Sequence, residues 1–203
     1  MSIPGSVNPL FLGAAGQATG GGEYQIERSV RFNSPDSAYL SRTPASSGNR
    51  KTWTWAGWVK RSALGFQALL RTSDGVSNST FMGFNSSNNI DFYQFTSGST
   101  NGQKITSAVF RDTGAWFHVV AVWNSAEATA SQRMRLYING SEITTFGANA
   151  SPGLNSDSRW NSAVLHEIGG QAQFFNGYLA DIHFIDGQAL TPTSFGEFDT
   201  NGV

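Results

Sequence analysis

The chain has 203 residues, enough for one large sandwich domain, and no linker-like stretch in its middle divides it. Hydrophobic residues make up 39% and charged residues 13% of the sequence, so the composition predicts a folded core and excludes a disordered chain. Thirteen basic and fourteen acidic residues leave a formal charge of -1, which argues against nucleic acid or an anionic membrane as the main partner.

Residues 1–23 differ from the rest of the chain, because they hold two prolines and six glycines and show no alternation of apolar and polar positions. This composition predicts an extended N-terminal arm. Pro4 and Pro9 lie where a signal peptide would form its apolar helix, so no secretion signal is predicted. Apolar arms often order on a neighbouring subunit, and a packed or frayed terminus is the alternative. The candidate assembly residues of the arm are Val7, Leu10, Phe11 and Leu12.

Residues 24–203 show the period of two that is typical of β-strands. The clearest strands are predicted at Thr52–Lys60 and Trp116–Trp123, and both faces of the second are apolar, so we expect it to be covered on both sides. A further strand at Arg133–Asn139 turns at Asn139-Gly140, the strongest short hairpin signal. Weaker strands are predicted at 29–32, 68–71, 80–84, 90–95, 105–110, 163–168 and 177–185. The sequence therefore predicts an all-β domain of two stacked antiparallel sheets.

The order of four motifs resembles the laminin G-like, concanavalin A-like jelly-roll family. That family opens with a tryptophan-rich strand, here Trp53–Val59, and continues with a tryptophan and histidine strand, here Trp116–Val122. A strand that ends in Asn-Gly follows at Leu136–Gly140, and a glycine, a bend and a last strand follow at 168–185. The resemblance implies a jelly-roll sandwich and leaves the ligand open, since this fold serves many functions.

A narrower resemblance links the chain to virion proteins of tailed bacteriophages. It rests on Ile3–Leu10, on Tyr39–Ala45 with Asn49–Trp55, and on Phe184–Pro192. In that group the jelly roll decorates the particle or belongs to fibre-like appendages. The resemblance implies a virion location, with assembly in a reducing host cytoplasm that the cysteine-free chain tolerates.

Catalysis is not expected from the acidic residues. Glycanases of this fold carry a Glu-x-Asp-x-x-Glu strand motif, and the nearest match here is Glu197 with Asp199, which has Gly202 in place of the second glutamate. The match also lies beyond the closing motif, and retaining hydrolysis needs two carboxyl groups. We therefore predict that the protein is not an enzyme.

Histidines and loop aspartates are the remaining polar candidates. His118, His166 and His183 could bind a metal or act as bases, but a hydrogen-bonded structural role is the commoner role for histidines in strands. Relatives of this fold bind calcium at a sheet rim, but single loop aspartates usually form turns. The aspartates in question are Asp36, Asp74, Asp112, Asp157 and Asp186. The sequence predicts no cofactor and no metal ligand, and a structural calcium ion is left open without support.

Carbohydrate binding needs an aromatic platform and planar polar side chains. Most tryptophans lie in predicted core strands, where packing explains them. Trp160 differs, because it lies with Asn161 in a polar segment, and it is either a glycan contact or a cap over the sheet.

Two functions follow from these observations. The first is a non-enzymatic virion structural protein, a capsid decoration or fibre-like surface subunit whose arm binds other virion proteins and copies of itself. The alternative is a lectin-like adhesion module that contacts host surface glycans through Trp160 and Asn161. Neither function involves nucleic acid or membrane insertion.

Overall fold

A computed structural model describes residues 26–73, 78–170 and 172–197. Within them the chain forms thirteen strands, β1 (Val30–Phe32), β2 (Leu40–Arg42), β3 (Thr52–Arg61), β4 (Gln67–Ser73), β5 (Ser79–Phe84), β6 (Asn89–Thr96), β7 (Ser99–Val109), β8 (Trp116–Asn124), β9 (Met134–Ile138), β10 (Ser141–Glu142), β11 (Phe146–Ala150), β12 (His166–Ile168) and β13 (Gly177–Asp186). Three single 3-10 turns occur at Ser34–Asp36, Ala130–Gln132 and Pro192–Ser194. No helix in this described part is long and apolar enough to cross a membrane.

The strands form two antiparallel sheets. The six-stranded back sheet has the order β1-β13-β3-β8-β9-β10, and the seven-stranded front sheet has the order β11-β7-β6-β5-β4-β12-β2. β3 and β8 pair along nine residues in the middle of the back sheet, as their aromatic and β-branched composition predicts. The predicted two-sheet, all-β sandwich is confirmed.

The core between the sheets is rich in aromatic rings. Trp53, Trp55 and Trp123 of the back sheet are buried against Phe84 and Phe92 of the front sheet. Trp53 and Trp123 lie 6.3 Å apart with nearly parallel rings. Because each large ring removes much apolar surface from water, these residues contribute strongly to the packing that holds the sheets together.

The chain's own last described segment covers part of the back sheet's outer face. Thr54 donates its hydroxyl to the Gln188 carbonyl at 2.7 Å and accepts the Leu190 amide at 2.9 Å. Ala189 and Phe195 pack beside it on a small apolar cluster. The cluster consists of Ala56, Val120, Val122 and Tyr137. The outward Val120 and Val122 of β8 are therefore buried, so this part of the strand is covered on both sides as predicted.

Two predictions of the sequence needed correction at the sheet edges. The edge strands β2 and β11 were not predicted, and β7 begins at Ser99 instead of near 105. All three segments are short or polar, so they lack the apolar alternation that marks a buried strand. Backbone pairing with β12, β6 and β7 builds them instead. The predicted hairpin at Asn139-Gly140 is confirmed, with φ of 47° and 76° at these residues.

Candidate functional site

The outer face of the front sheet carries a row of side chains that runs across five strands. Strand pairing aligns Glu167 with Arg71, Arg71 with Phe81, Phe81 with Tyr93, and Tyr93 with Gln103. Their strand neighbours Leu70, Met82 and Phe92 are core residues, so alternation directs the row outward. We call these five residues, together with Asp91 two positions before Tyr93, the front row.

Aromatic rings form the middle of the front row. The Phe81 and Tyr93 rings stack at 5.4 Å with 19° between their planes, and Phe66 lies 5.0 Å from Phe81. Phe81 is only 1% exposed although it faces outward. Its ring lies over Gly83, where an added Cβ would come within 2.9 Å of Phe81 Cζ and 2.2 Å of the Gln67 carbonyl oxygen. Gly83 thus lets the ring lie flat on the sheet.

Planar polar groups flank these rings on both sides. The Gln103 amide donates to the Asp91 carboxylate at 3.1 Å and 3.4 Å. Asp91 is 8% exposed, and burial raises the pKa of its carboxyl to about 6 while the Gln103 hydrogen bond opposes the rise. On the other side, the Arg71 guanidinium lies 3.9 Å from the Glu167 carboxylate, which is itself nearly buried.

The Tyr93 hydroxyl connects the two polar sides electrostatically. Burial raises its pKa, and the Asp91 charge adds to that rise. A hydrogen bond with Ser79 and the Arg71 charge act in the opposite direction. Tyr93 therefore lies within electrostatic reach of both an acidic and a basic member of the row, and it stays a neutral hydrogen-bonding phenol.

This arrangement has the chemistry of a site for polyhydroxylated ligands. An aromatic face can stack on apolar C–H surfaces, and carboxylate, amide and guanidinium groups can each bind two hydroxyls. Sequence reasoning missed every member of the front row. The alternation in β6 could have indicated part of it. Asp91, Tyr93 and Phe95 share the outward face of this strand, opposite the core residues Ile90 and Phe92.

The sequence candidates Trp160 and Asn161 lie elsewhere, away from the front row. Trp160 is 1% exposed and lies in the core, 4.8 Å from Trp53 and 5.3 Å from Phe92. Asn161 donates its amide to the Asn49 carbonyl at 3.1 Å and to Asp186 at 2.6 Å. The structure therefore places Trp160 as the cap over the sheet, the structural alternative for this residue, and uses Asn161 to join two loops.

His166 lies apart from the other two histidines, which are neighbours on the back sheet. His166 accepts the Asn161 backbone amide through Nε2 and contacts the Val164 carbonyl through Nδ1, and burial lowers its pKa. His118 lies on the outer face of the back sheet, where burial, and then the nearby His183, lower its pKa to about 4. His118 and His183 both contact the Phe195 ring.

The acidic candidates are mostly engaged in local structure. Asp112 accepts the amides of its own turn, from Gly114 at 2.7 Å and Ala115 at 3.2 Å. Asp157 pairs with Arg50 at 3.4 Å, and Asp186 accepts the Asn49 amide at 2.7 Å. Within the described ranges no three His, Asp or Glu side chains gather in a way that could hold a metal ion.

Several candidates fall outside the described residues. Val7, Leu10, Phe11 and Leu12 of the predicted arm lie there, and so do Asp74 and Asp199. Glu197 is the last described residue and is exposed. The arm and the absence of a cofactor both stay predictions.

The fold and the front row together define a sandwich of the concanavalin A-like class, with polar and aromatic side chains on an outer sheet face. The chain belongs to the concanavalin A-like lectin/glucanases superfamily, because the laminin G-type sequence profile of that superfamily matches residues 34–194. The family resemblance derived from the motifs is thus confirmed at this level. The comparison with curated proteins gives no match.

Solved structures with a similar fold include a pentraxin and two domains of carbohydrate-active enzymes. A SAP-like pentraxin from Limulus polyphemus is 18% identical, with a TM-score of 0.54 over 84% of this chain and 76% of that chain. The CBM40 of the Ruminococcus gnavus IT-sialidase, bound to α2,3 sialyllactose, is 13% identical, with a TM-score of 0.54 over 83% and 94%. Domain 4 of the Geobacillus stearothermophilus arabinanase AbnA, in complex with arabinotriose, is 17% identical, with a TM-score of 0.51 over 71% and 65%. At these identities the likeness shows the fold.

Proposed function

We propose that this protein is a carbohydrate-binding module that holds a neutral glycan on the front row. The observation that carries the proposal is the half-buried Tyr93 ring, which stacks on the buried Phe81 ring and has planar polar groups on both sides of it. Two similar structures contain bound oligosaccharides, which supports a glycan as the ligand class.

The charges of the front row favour a neutral ligand. Arg71 is already placed beside Glu167, and Asp91 adds a second carboxylate. An acidic sugar would meet two carboxylates and one guanidinium, and like charges in a partly buried site repel. Sugar hydroxyls would instead donate to the Asp91 carboxylate, which burial leaves poorly solvated.

Binding rather than catalysis fits the spacing of the carboxylates. Asp91 and Glu167 belong to β6 and β12, and β4 and β5 lie between these strands. At the ~4.7–4.9 Å spacing of neighbouring strands, their backbones are roughly 14 Å apart. Glycosidases place their two carboxyl groups ~5–9.5 Å apart, so the proposal includes no hydrolytic role.

A glycan array followed by isothermal titration calorimetry tests this proposal. We expect the wild-type protein to bind a set of neutral glycans, and Tyr93→Ala and Gln103→Ala to weaken the Kd of the best one by about tenfold, or about 1.4 kcal/mol. Affinity should also rise as the pH increases through about 6, because the ionised form of Asp91 accepts hydroxyls.

The matched control is Tyr39→Ala, which removes an exposed tyrosine that contacts Phe174 instead of the front row. Its affinity should equal that of the wild type. Urea unfolding of each variant separates lost contacts from lost folding. A flat array, or equal losses for Tyr39→Ala and the front-row variants, would contradict the proposal.

A location on a bacteriophage particle is a second proposal, and it concerns where the module acts. Its support is the sequence resemblance of residues 3–10, 39–45, 49–55 and 184–192 to virion proteins of tailed phages. In this proposal residues 1–23 attach the sandwich to the particle and the front row faces host glycans. Deleting residues 1–23 should abolish attachment while leaving glycan binding intact, as measured by particle sedimentation. Attachment that survives the deletion rejects the arm as the anchor.

A further inference from the structure

The part of the back sheet's outer face that the segment 187–195 leaves open carries a second cross-strand row. Strand pairing aligns Arg31 of β1 with Tyr178 of β13, Tyr178 with Lys60 of β3, and Lys60 with Trp116 of β8. Cations and aromatic rings thus alternate over four strands. Arg31 is exposed and the other three side chains are half-buried. We call these four residues the back row.

Contacts within the back row hold its groups in place. The Arg31 guanidinium lies 5.1 Å from the centre of the Tyr178 ring and donates to Asn176 Oδ1 at 2.8 Å and to the Gly177 carbonyl at 3.2 Å. The Tyr178 and Trp116 rings approach to 6.4 Å although Lys60 stands between them in the sheet. The two rings therefore lean towards each other over the lysine strand, and Arg31 is fixed against one of them.

The two cations of the back row have no carboxylate to neutralise them in the described part of the chain. Neither Arg31 nor Lys60 belongs to the ion pairs that the described residues form within 4.0 Å, such as Arg50 with Asp157 and Arg71 with Glu167. Arg31 and Lys60 thus present two positive charges that are two strands apart, roughly 9.5 Å at the usual spacing. Each charge stands beside an aromatic ring with some exposed surface.

We infer that the back row binds an acidic polysaccharide, with carboxylates on Arg31 and Lys60 and sugar rings against Tyr178 and Trp116. Arginine and lysine both pair with carboxylates, and an adjacent aromatic ring adds contact with the apolar face of a sugar. The four strands give the row a length of roughly 14 Å, which suits a chain ligand better than a single ion. This site is independent of the front row, since it lies on the opposite sheet and selects the opposite charge.

A single-stranded nucleic acid is the other polyanion that stacks on aromatic rings. The back row favours it less, because such strands bind in long basic grooves and this row has two cations in a chain of formal charge -1. The Tyr178 and Trp116 planes are also inclined at 57° to each other, so they do not form the successive parallel platforms that stacked bases use.

The test is calorimetric titration of the full chain with oligogalacturonate, a polymer of uronic acid units. The wild type should bind it at low ionic strength and more weakly as salt is added, because exposed charge pairs are screened. Lys60→Met keeps the length of the stem and removes the charge, so it should weaken binding by up to about fivefold. Trp116→Leu should weaken binding similarly but leave the salt dependence unchanged.

Three controls complete the experiment. Fully methyl-esterified oligogalacturonate should not bind, since its carboxylates are blocked. Lys51→Met, at an exposed lysine outside the row, should behave as the wild type. Tyr93→Ala should bind oligogalacturonate normally, so failure of the front row and failure of the back row give different results. Equal binding by Lys60→Met and wild type, binding of the esterified polymer, or tighter binding of oligothymidylate than of oligogalacturonate would overturn the inference.

Discussion

The front and back rows are built alike and charged differently. The front row crosses the five inner strands of its sheet, whereas the back row runs inward over four strands from the edge strand β1. Both rows join aromatic rings to polar groups at outward strand positions. The front row holds two nearly buried carboxylates, Asp91 and Glu167, with one guanidinium. The back row holds two cations, Arg31 and Lys60. Two surfaces of one sandwich can therefore select ligands of different charge, because outward positions vary without changing the shared core.

The two faces also respond to acid in opposite ways. The pKa of Asp91 on the front face is raised to about 6, whereas the pKa of His118 on the back face is lowered to about 4. Burial is the main cause in both cases, since it disfavours whichever form is charged. Protonation therefore removes a buried charge at Asp91, which stabilises the folded state, and creates a buried charge at His118, which destabilises it.

Replacing Trp160 with alanine should cost the most stability. The ring fills the core between Trp53 and Phe92, and truncating a buried aromatic ring costs about 3–5 kcal/mol. Urea unfolding at neutral pH measures the loss, and Trp160→Phe serves as the control that keeps part of the packing. If Trp160→Ala instead kept its stability and lost glycan binding, the ligand contact would lie at Trp160 and the assignment of binding to the outward rows would fail.

Replacing Asp91 with asparagine should stabilise the protein at pH 7. The folded pKa is raised from 3.8 to about 6, so this group favours the folded state below pH 3.8 and loses that contribution as the pH rises through about 6. The substituted amide avoids the buried charge, and its oxygen can still accept from Gln103. We expect a gain of about 1–3 kcal/mol at pH 7 that vanishes near pH 3.5.

Urea unfolding of Asp91→Asn at both pH values checks this prediction. Asp112→Asn is the matched control, because its carboxylate is exposed in a turn and an amide oxygen can still accept the Gly114 amide. The same Asp91→Asn variant should bind neutral glycans more weakly, which separates the stability of the front row from its function. A variant that is less stable than the wild type at pH 7 would show that the Asp91 charge is well solvated.

The sequence predicted the fold far better than the candidate site. Strands such as Thr52–Arg61 and Trp116–Asn124 are evident in the sequence, because apolar and β-branched residues repeat where burial demands them. The front row gives no comparable pattern, since its members lie on five different strands, four of them consecutive and the fifth, β12, distant in the chain. Only the register places Glu167 beside Arg71 and Tyr93 beside Gln103.

The position of Trp160 could not be predicted from the sequence either. Its polar neighbours Asn155–Ser162 suggested an exposed loop, yet the loop is tied down by contacts from distant residues. Arg50 donates to the Ser158 carbonyl at 2.7 Å, and Gln94 donates to the Asp157 carbonyl and accepts the Arg159 amide. These long-range bonds hold the ring in the core, and no local pattern reveals them.

Replacing His118 with glutamine should leave the stability at pH 7 almost unchanged and should have an effect only in acid. The pKa of this imidazole is lowered from 6.5 to about 4, so its contribution is complete above pH 6.5 and is lost as the pH falls through about 4. We expect the wild type to lose up to about 3 kcal/mol over this window relative to His118→Gln, measured by urea unfolding at pH 7 and pH 4. His183→Gln should keep most of the loss, because burial beside Trp58 and Phe195 outweighs the charge of the neighbouring histidine. If His183→Gln removed the loss entirely, repulsion between the two histidines would be the cause of the lowered pKa. Burial would then shift the pKa of Asp91 on the front face but not that of His118 on the back face.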